Sequence, residues 1–303
     1  MTTVVNWWKE FAQNHENLKH SIAGAGAGIV SSVVTCPLDV AKTRLQNQGK
    51  SIPGEKIYKG TLGTLSRIWQ EERVRGLYRG LGPTILGYLP TWAIYFTAYD
   101  YCKNHWADEL GHDKEWLLHI ISAMSAGAAS TISTNPLWVI KTRLMTQSDR
   151  TAYRYKSTIH AFATIARQEG YRGFYKGLGP SLIGVSHVAL QFPLYEKLKV
   201  MFGVGDFASG STSILLASAL SKMAASIATY PHEVIRTRLQ NQTIKPYKYK
   251  GIVHAIKIIS VEEGMRGFYK GLTTNLVRTV PSSAMTILTY EVIVKKLDHW
   301  KNL

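Results

Sequence analysis

Three stretches carry the residue types that could do chemistry, and all three follow one plan. Pro37-Leu38-Asp39-Val40-Ala41-Lys42-Thr43-Arg44, Pro136-Leu137-Trp138-Val139-Ile140-Lys141-Thr142-Arg143 and Pro231-His232-Glu233-Val234-Ile235-Arg236-Thr237-Arg238 recur at intervals of 99 and 95 residues. Each ends an apolar segment rich in small residues. An acid and a base three residues apart share a helix face and can each reach a different neighbour. A charge inside a membrane-spanning helix costs about 2.5–3.5 kcal/mol, so such groups should face a cavity or one another. Asp39, Lys42, Lys141, Glu233 and Arg236 are therefore expected to meet as a ring at the inner end of a central cavity. Trp138 stands where the other two copies have an acid. This is the chemistry of ion pairing, not of bond making. The chain has no G-x-S-x-G, Walker A or H-E-x-x-H motif, and no enzyme activity, cofactor or metal is expected.

Two further stretches recur in step. Glu72-Arg73 through Tyr78-Arg79-Gly80, Glu169-Gly170 through Tyr175-Lys176-Gly177 and Glu263-Gly264 through Tyr269-Lys270-Gly271 form one set. Tyr99-Asp100-Tyr101-Cys102-Lys103, Tyr195-Glu196-Lys197-Leu198-Lys199 and Tyr290-Glu291 with Lys295 form the other. The second set predicts an outer ring of Asp100, Lys103, Glu196, Lys199 and Glu291, with Lys295 one residue out of register. A fixed period settles the architecture before any local reading. A period near 97 residues suits two spanning helices and their connections.

The elements that must position these rings follow from the same pattern. A first helix is expected at 18–48, 115–147 and 212–242, kinked at Pro37, Pro136 and Pro231. A short amphipathic helix follows at 60–71, 157–168 and 251–262, then a second apolar helix at 81–103, 178–200 and 272–296. The boundaries are a polar tail at 1–18 with Trp7 and Trp8 as interface anchors, then repeats at 19–111, 112–208 and 209–303. Gly24 and Gly28 form a GxxxG pair, expected to let helices approach closely. The fold expected is an all-α membrane protein of six transmembrane helices, a pseudo-three-fold barrel with three short inner helices.

Composition bounds the rest. The 303 residues carry a net charge of +16 at a mean hydropathy of -0.08, which suits nucleic acid, an anionic membrane surface or anionic small substrates. Nucleic acid is excluded because the bases are dispersed over three loops without a recognition motif. Lys50, Lys56, Lys59, Arg67, Arg73, Arg75 and Arg79 oppose only Glu55, Glu71 and Glu72 in the first long loop, whereas Asp108, Glu109, Asp113 and Glu115 mark a short connection. That asymmetry puts the long loops on the inner face and both termini on the other. Cys36 and Cys102 cannot build a disulfide framework, and no CxxC pair suggests a metal. The first twenty residues match neither a signal nor a transit peptide, so any organelle address is expected to be internal.

The pattern Pro-x-Asp/Glu-x-x-Lys/Arg-x-Lys/Arg followed by Glu-Gly and aromatic-basic-Gly, three times over residues 19–296, resembles the mitochondrial carrier family. Departures are Arg73 for a glycine and Trp138 for an acid. The resemblance implies a monomer of the mitochondrial inner membrane whose single substrate site lies between a matrix gate and a cytoplasmic gate. It implies pairs Asp39–Lys141 and Glu233–Lys42, with Arg236 left facing the Trp138 indole as a cation–π contact. Tryptophan at this place marks the branch carrying NAD, FAD, folate and pyrimidine nucleotides. The wording around Gly87, Trp138 and Arg278 is most similar to NAD-carrying members, so NAD is the expected cargo, exchanged for another nucleotide. Pyrimidine nucleotide or FAD/folate carriage, and a carrier-like protein without transport, remain alternatives.

The family's substrate contacts fall at Gly87, at Gly184 with Val185, and at Arg278. The glycines imply a flat slot for a purine, and Arg278 a planar fork for phosphate. Lys222, where the other repeats have Gly28 and Gly127, could hold a second phosphate. Trp92 could contact base or ribose, with Tyr95, His187 and Gln191 weaker candidates. Gly60 and Gly251, at starts of short helices, with Gly80, Gly177 and Gly271 across from them, are implied to clasp cardiolipin and other anionic lipid.

Overall fold

The computed structural model describes residues 16–49, 57–110, 115–147, 155–202, 211–243 and 246–301. Trp7, Trp8, Lys50, Glu55, Lys56 and Asp113 lie outside these residues, as do the side chains of Asp108, Glu109 and Glu115. The described residues are helical, without strands. In the first repeat α1 spans Glu16–Asn47, α2 Gly60–Leu77 and α3 Leu81–Leu110. In the second, α4 spans Glu115–Thr146, α5 Thr158–Glu169, α6 Tyr171–Phe174, α7 Leu178–Val185 and α8 His187–Met201. In the third, α9 spans Ser211–Gln240, α10 Ile252–Glu263, α11 Met265–Phe268 and α12 Leu272–Lys301. Each long helix touches the next around a cycle, and α12 returns to α1. The helices α1, α4 and α9 also touch one another.

Two expected elements differ. The apolar helix expected at 178–200 is two helices, broken at Ser186. The Ser186 hydroxyl donates to the Ile183 carbonyl at 2.6 Å, so a side chain competes for a backbone acceptor at the break. The other repeats have Pro90 and Pro281 one residue further on, inside unbroken helices, where this one has His187. The GxxxG pair is not the contact expected. A side chain at Gly24 would meet nothing, whereas Gly28 lies under the Tyr88 ring and Gly26 under Ile293. The same seat recurs at Gly127, under Val185.

Two stretches, Ala23–Asn47 and Leu117–Thr146, are long and apolar enough to cross a membrane by composition. The outer surface adds to this: Leu86, Leu89, Ile183, Leu216, Val280 and Leu288 are all exposed. Apolar burial concentrates instead at the inner ends. Ile140, Leu144, Tyr155, Ala161, Ile165 and Phe174 form one cluster, and Ile235, Leu239, Tyr249, Ala255, Ile259 and Phe268 its counterpart.

Those clusters surround three buried arginines. Arg143 reaches Glu169 through both terminal nitrogens, at 2.5 and 2.9 Å, and Arg44 grips Glu72 the same way at 2.6 and 2.9 Å. Arg238 makes the equivalent double contact with Glu263. The base of each aromatic-basic-Gly motif joins the same carboxylate: Arg79 at 2.9 Å, Lys176 at 2.5 Å and Lys270 at 2.6 Å. Each arginine Nε then donates into the next repeat, Arg44 to the Met145 carbonyl, Arg143 to that of Gln240 and Arg238 to that of Gln46. These carbonyls lie at helix C-termini, where cations are favoured.

Arg73 carries a cost. Its φ of 57° and ψ of -152° match Gly170 (65°, -161°) and Gly264 (64°, -160°), the glycines it replaces. That region is open essentially to glycine alone and strains other residues by about 1–3 kcal/mol. Glycine gives back part of this as unfolded-chain entropy. Arg73→Gly is therefore expected to stabilise the protein by about 1 kcal/mol net, read as a higher thermal unfolding midpoint in detergent.

Burial pushes the Glu169 and Glu263 carboxyls up, but hydrogen bonds from Arg143 with Lys176, and from Arg238 with Lys270, outweigh it and hold both below the ordinary range. A depressed folded value means stability present above the unfolded value, near pH 4.3, and lost as pH falls through the folded one. The unfolding midpoint should drop below about pH 4. Glu169→Gln should cost about 3–5 kcal/mol at neutral pH, because Arg143 keeps its charge without a partner.

Candidate functional site

Pro37, Pro136 and Pro231 lie inside α1, α4 and α9. A proline within a helix removes one N–H and bends the axis. The turns just beyond these prolines carry the inner ring. Lys42 Nζ lies 2.6 Å from Glu233 Oε2 and donates to Asn275 Oδ1 at 2.8 Å. Lys141 Nζ is 4.0 Å from Asp39 Oδ2, a looser pair at the limit of contact. Both pairings are those expected, but the remaining partners are not.

The Trp138 indole is covered by Lys141, whose Nζ is 4.9 Å from the ring centroid, rather than by Arg236. Trp138 and Lys141 are three apart on α4, so the lysine folds back over its own helix. The indole N–H donates to Thr134 Oγ1 at 3.0 Å, which fixes the ring. Arg236 has only Glu233, on its own helix, as an attracting charge and makes no salt bridge among the described residues. Asp39 takes a second partner instead. Arg278 Nε lies 3.0 Å from Asp39 Oδ1, yet makes no aligned hydrogen bond.

Three residues near this ring were not singled out in the sequence. Gln46 Nε2 donates to Glu233 Oε2 at 3.1 Å and to the Tyr230 hydroxyl at 3.0 Å, while Thr237 donates to Gln46 Oε1 at 2.9 Å. Gln240 accepts from Thr142 at 2.7 Å in the same manner. Their spacing was a usable signal, since Gln46 and Gln240 each follow a ring base by four residues. Asn275, by contrast, carries no such mark.

The expected base slot is filled. A side chain at Gly184 would meet the His232 ring at 2.5 Å, so imidazole already occupies that room. Val185 packs on Gly127 and so serves helix contact. Gly87 is buried with Leu137 and Trp138 at 3.8 Å, an ordinary contact distance. Trp92 stacks on Phe96 at 5.6 Å and meets Tyr95 edge-on at 5.8 Å. Lys222 is exposed and within electrostatic reach of Arg278. It sits where Gly28 and Gly127 receive Tyr88 and Val185; the third repeat has the smaller Thr279 at the matching place.

The outer ring is not assembled. Glu196 pairs only within its own helix, with Lys199 at 3.2 Å. Asp100, Glu291 and Lys295 are exposed, and among the described residues neither they nor Lys103 bridge two helices. Charges are drawn together at the inner end and left apart at the outer one.

Among the lipid candidates, Gly60 and Gly271 line one cavity of about 300 Å³ with Leu45, Tyr58, Thr61 and Lys270. It lies between the third repeat and the first. Gly80, Gly177 and Gly271 have φ of 82°, 75° and 84°, and each lies 3.1 Å, by its absent Cβ, from the carbonyl of a ring base: Lys141, Arg236 and Lys42. Any side chain there would be strained and obstructed together. Gly251 has extended backbone.

The sequence profile of the mitochondrial carrier protein family matches residues 13–110, 112–205 and 208–299. The chain is 46% identical over 288 residues to the mitochondrial nicotinamide adenine dinucleotide transporter 1 of Saccharomyces cerevisiae, covering 92% of this chain and 77% of that one. It is 45% identical over 284 residues to the chloroplastic nicotinamide adenine dinucleotide transporter 1 of Arabidopsis thaliana, covering 91% of each. The mitochondrial pyrimidine nucleotide transporter RIM2 of Saccharomyces cerevisiae is 36% identical over 334 residues, covering 94% of this chain and 88% of that one.

The missing acid can be restored. Trp138→Asp should give Arg236 a carboxylate and stabilise the paired inner end by about 1–2 kcal/mol relative to Trp138→Asn, which controls for loss of the indole. Thermal unfolding measures this. The difference should vanish in an Arg236→Gln background; a difference that persists there would assign the gain to another partner.

Proposed function

The chain belongs to the mitochondrial carrier family, and on that premise we propose that it transports NAD across the mitochondrial inner membrane in exchange for another nucleotide. It acts as a transporter, not as an enzyme. Six spans, α1, α3, α4, the α7–α8 pair, α9 and α12, would surround one water-filled site, with both termini toward the intermembrane space. The exposed apolar outer surface and the polar inner ends support that reading, because lipid requires backbone polarity to be satisfied within helices. Asp39, Lys42, Lys141, Glu233 and Arg236 act as the matrix gate, and Asp100, Lys103, Glu196, Lys199, Glu291 and Lys295 as the cytoplasmic one. With the first drawn together and the second apart, the structure corresponds to the state open toward the cytoplasm. Cardiolipin would bind between repeats, as in the cavity of Gly60 and Gly271, and the monomer is the working unit.

The observation that carries the substrate assignment is Arg278. It presents a guanidinium with no aligned hydrogen bond beside the exposed Lys222, above a ring that is short of acid. Such a fork suits a phosphate or pyrophosphate. Gly87 with Trp138, and Gly184 with His232, supply flat contacts for the two rings of a dinucleotide. Trp92 is a further stacking candidate.

A pyrimidine nucleotide is the second reading. It is favoured by the 36% identity to a pyrimidine nucleotide transporter and by the Tyr230 to Arg238 stretch. Competition for uptake into liposomes decides between them. Unlabelled NAD should inhibit labelled NAD uptake more strongly than UTP or FAD does, and stronger inhibition by UTP would reverse the ranking. Arg278→Ala should lower uptake roughly ten- to a hundredfold, the loss expected of one charged hydrogen-bond partner. Uptake by the variant at the unaltered rate would remove Arg278 from the site.

A further inference from the structure

Arg278 is also the group whose bonding is least complete. Its Nε is buried without an aligned hydrogen bond, and none of its N–H groups finds an acceptor among the described residues. A buried donor left in this way calls for an explanation. Lys141 and Lys222 both lie close enough for their charges to oppose that of Arg278. Among the described residues, Asp39 is the one carboxylate that pairs within this group of three cations, and it is divided between Lys141 at 4.0 Å and Arg278 at 3.0 Å. Glu233, the other inner acid, is held quite differently. It has a close lysine, an aligned glutamine and no contact with Arg278.

We propose that Asp39 is an internal stand-in for a phosphate of the cargo. It occupies Arg278 while the site is empty, and a phosphate or pyrophosphate group displaces it. The misaligned contact is what makes displacement feasible, since phosphate offers several acceptors to the whole fork where Asp39 meets only Nε. The displaced carboxylate then lies beside a like charge, which also weakens its loose pair with Lys141. Cargo binding thereby loosens the Asp39 arm of the inner ring and leaves the Lys42–Glu233 arm intact. Because Trp138 supplies no acid, that is half of the ring's inter-helix pairing. Asp39 is a positioning residue here, coupling occupancy to the gate through Arg278. The inference rests on the reading that this site takes a nucleotide.

The test is NAD binding to the full chain in detergent, by titration calorimetry, with inorganic pyrophosphate as a second probe. An internal competitor raises the apparent Kd by the inverse of the fraction of time the site is free. Asp39→Asn removes the competitor and should tighten NAD about three- to tenfold. Glu233→Gln weakens the ring equally without touching Arg278, and should give no such gain. Pyrophosphate should follow NAD. If Asp39→Asn binds NAD no more tightly than Glu233→Gln, the inference is overturned while the transport reading stands. If NAD tightens but pyrophosphate does not, the displacing group is not phosphate and the inference falls. If the unaltered protein binds neither probe, the nucleotide reading fails first. Asp39→Ser against Glu233→Ser makes the same comparison should the first pair not fold.

Discussion

The three arginine clasps are the constraint on which the rest of this structure depends. Arg44, Arg143 and Arg238 are each almost wholly buried, and a buried guanidinium costs several kcal/mol unless its donors are taken up. Each solves this with a double contact to one glutamate, a tyrosine hydroxyl, and a helix-end carbonyl of the next repeat. One residue thus ties the first helix of its own repeat to that repeat's short helix, and both to the following repeat. Taken three times, the clasp closes a cycle. The inner ends of α1, α4 and α9 meet because each supplies the carbonyls that another's arginine requires.

The charged ring nearby is built on a different economy. Its contacts are single, partly exposed and uneven: 2.6 Å for Lys42–Glu233, 4.0 Å for Lys141–Asp39, and a misaligned 3.0 Å for Arg278–Asp39. The unevenness traces to Trp138. Without an acid at that place, Arg236 has no carboxylate on another helix, Lys141 turns over the indole, and Asp39 is left to serve two cations. A surplus of positive charge therefore sits where an anionic cargo would be received.

Much of this was legible in the sequence because the repeat makes each claim three times. Helix order, the kinking prolines and the ring membership could be read from spacing, since helical periodicity alone places residues three and four apart on one face. The pairs Lys42–Glu233 and Lys141–Asp39 follow from symmetry. The rest depended on local sterics that spacing does not encode. The break at Ser186 depends on one hydroxyl taking a carbonyl. Gly184 looked like an open slot, but an absent side chain leaves room that any neighbour can fill, and His232 fills it. Gly24 and Gly28 fit a packing motif, yet only Gly28 meets another helix. The partner of Trp138 could not be read either, because a cation–π contact within one helix and one between helices are equally compatible with the sequence.

The two sets of charges divide stability from movement. Parting α1, α4 and α9 at their inner ends would break two kinds of bond. Each arginine would lose its carbonyl in the next repeat but keep its glutamate, so no buried charge would be stranded, and a neutral hydrogen bond is worth only about 0.5–1.5 kcal/mol net. The ring pairs would be lost outright, but they are exposed enough for water and cargo to replace them. The expensive interactions lie within each repeat, and the inexpensive ones lie between repeats. A body held together in this way can open along its three seams while each repeat stays whole, which is the property an alternating-access carrier needs.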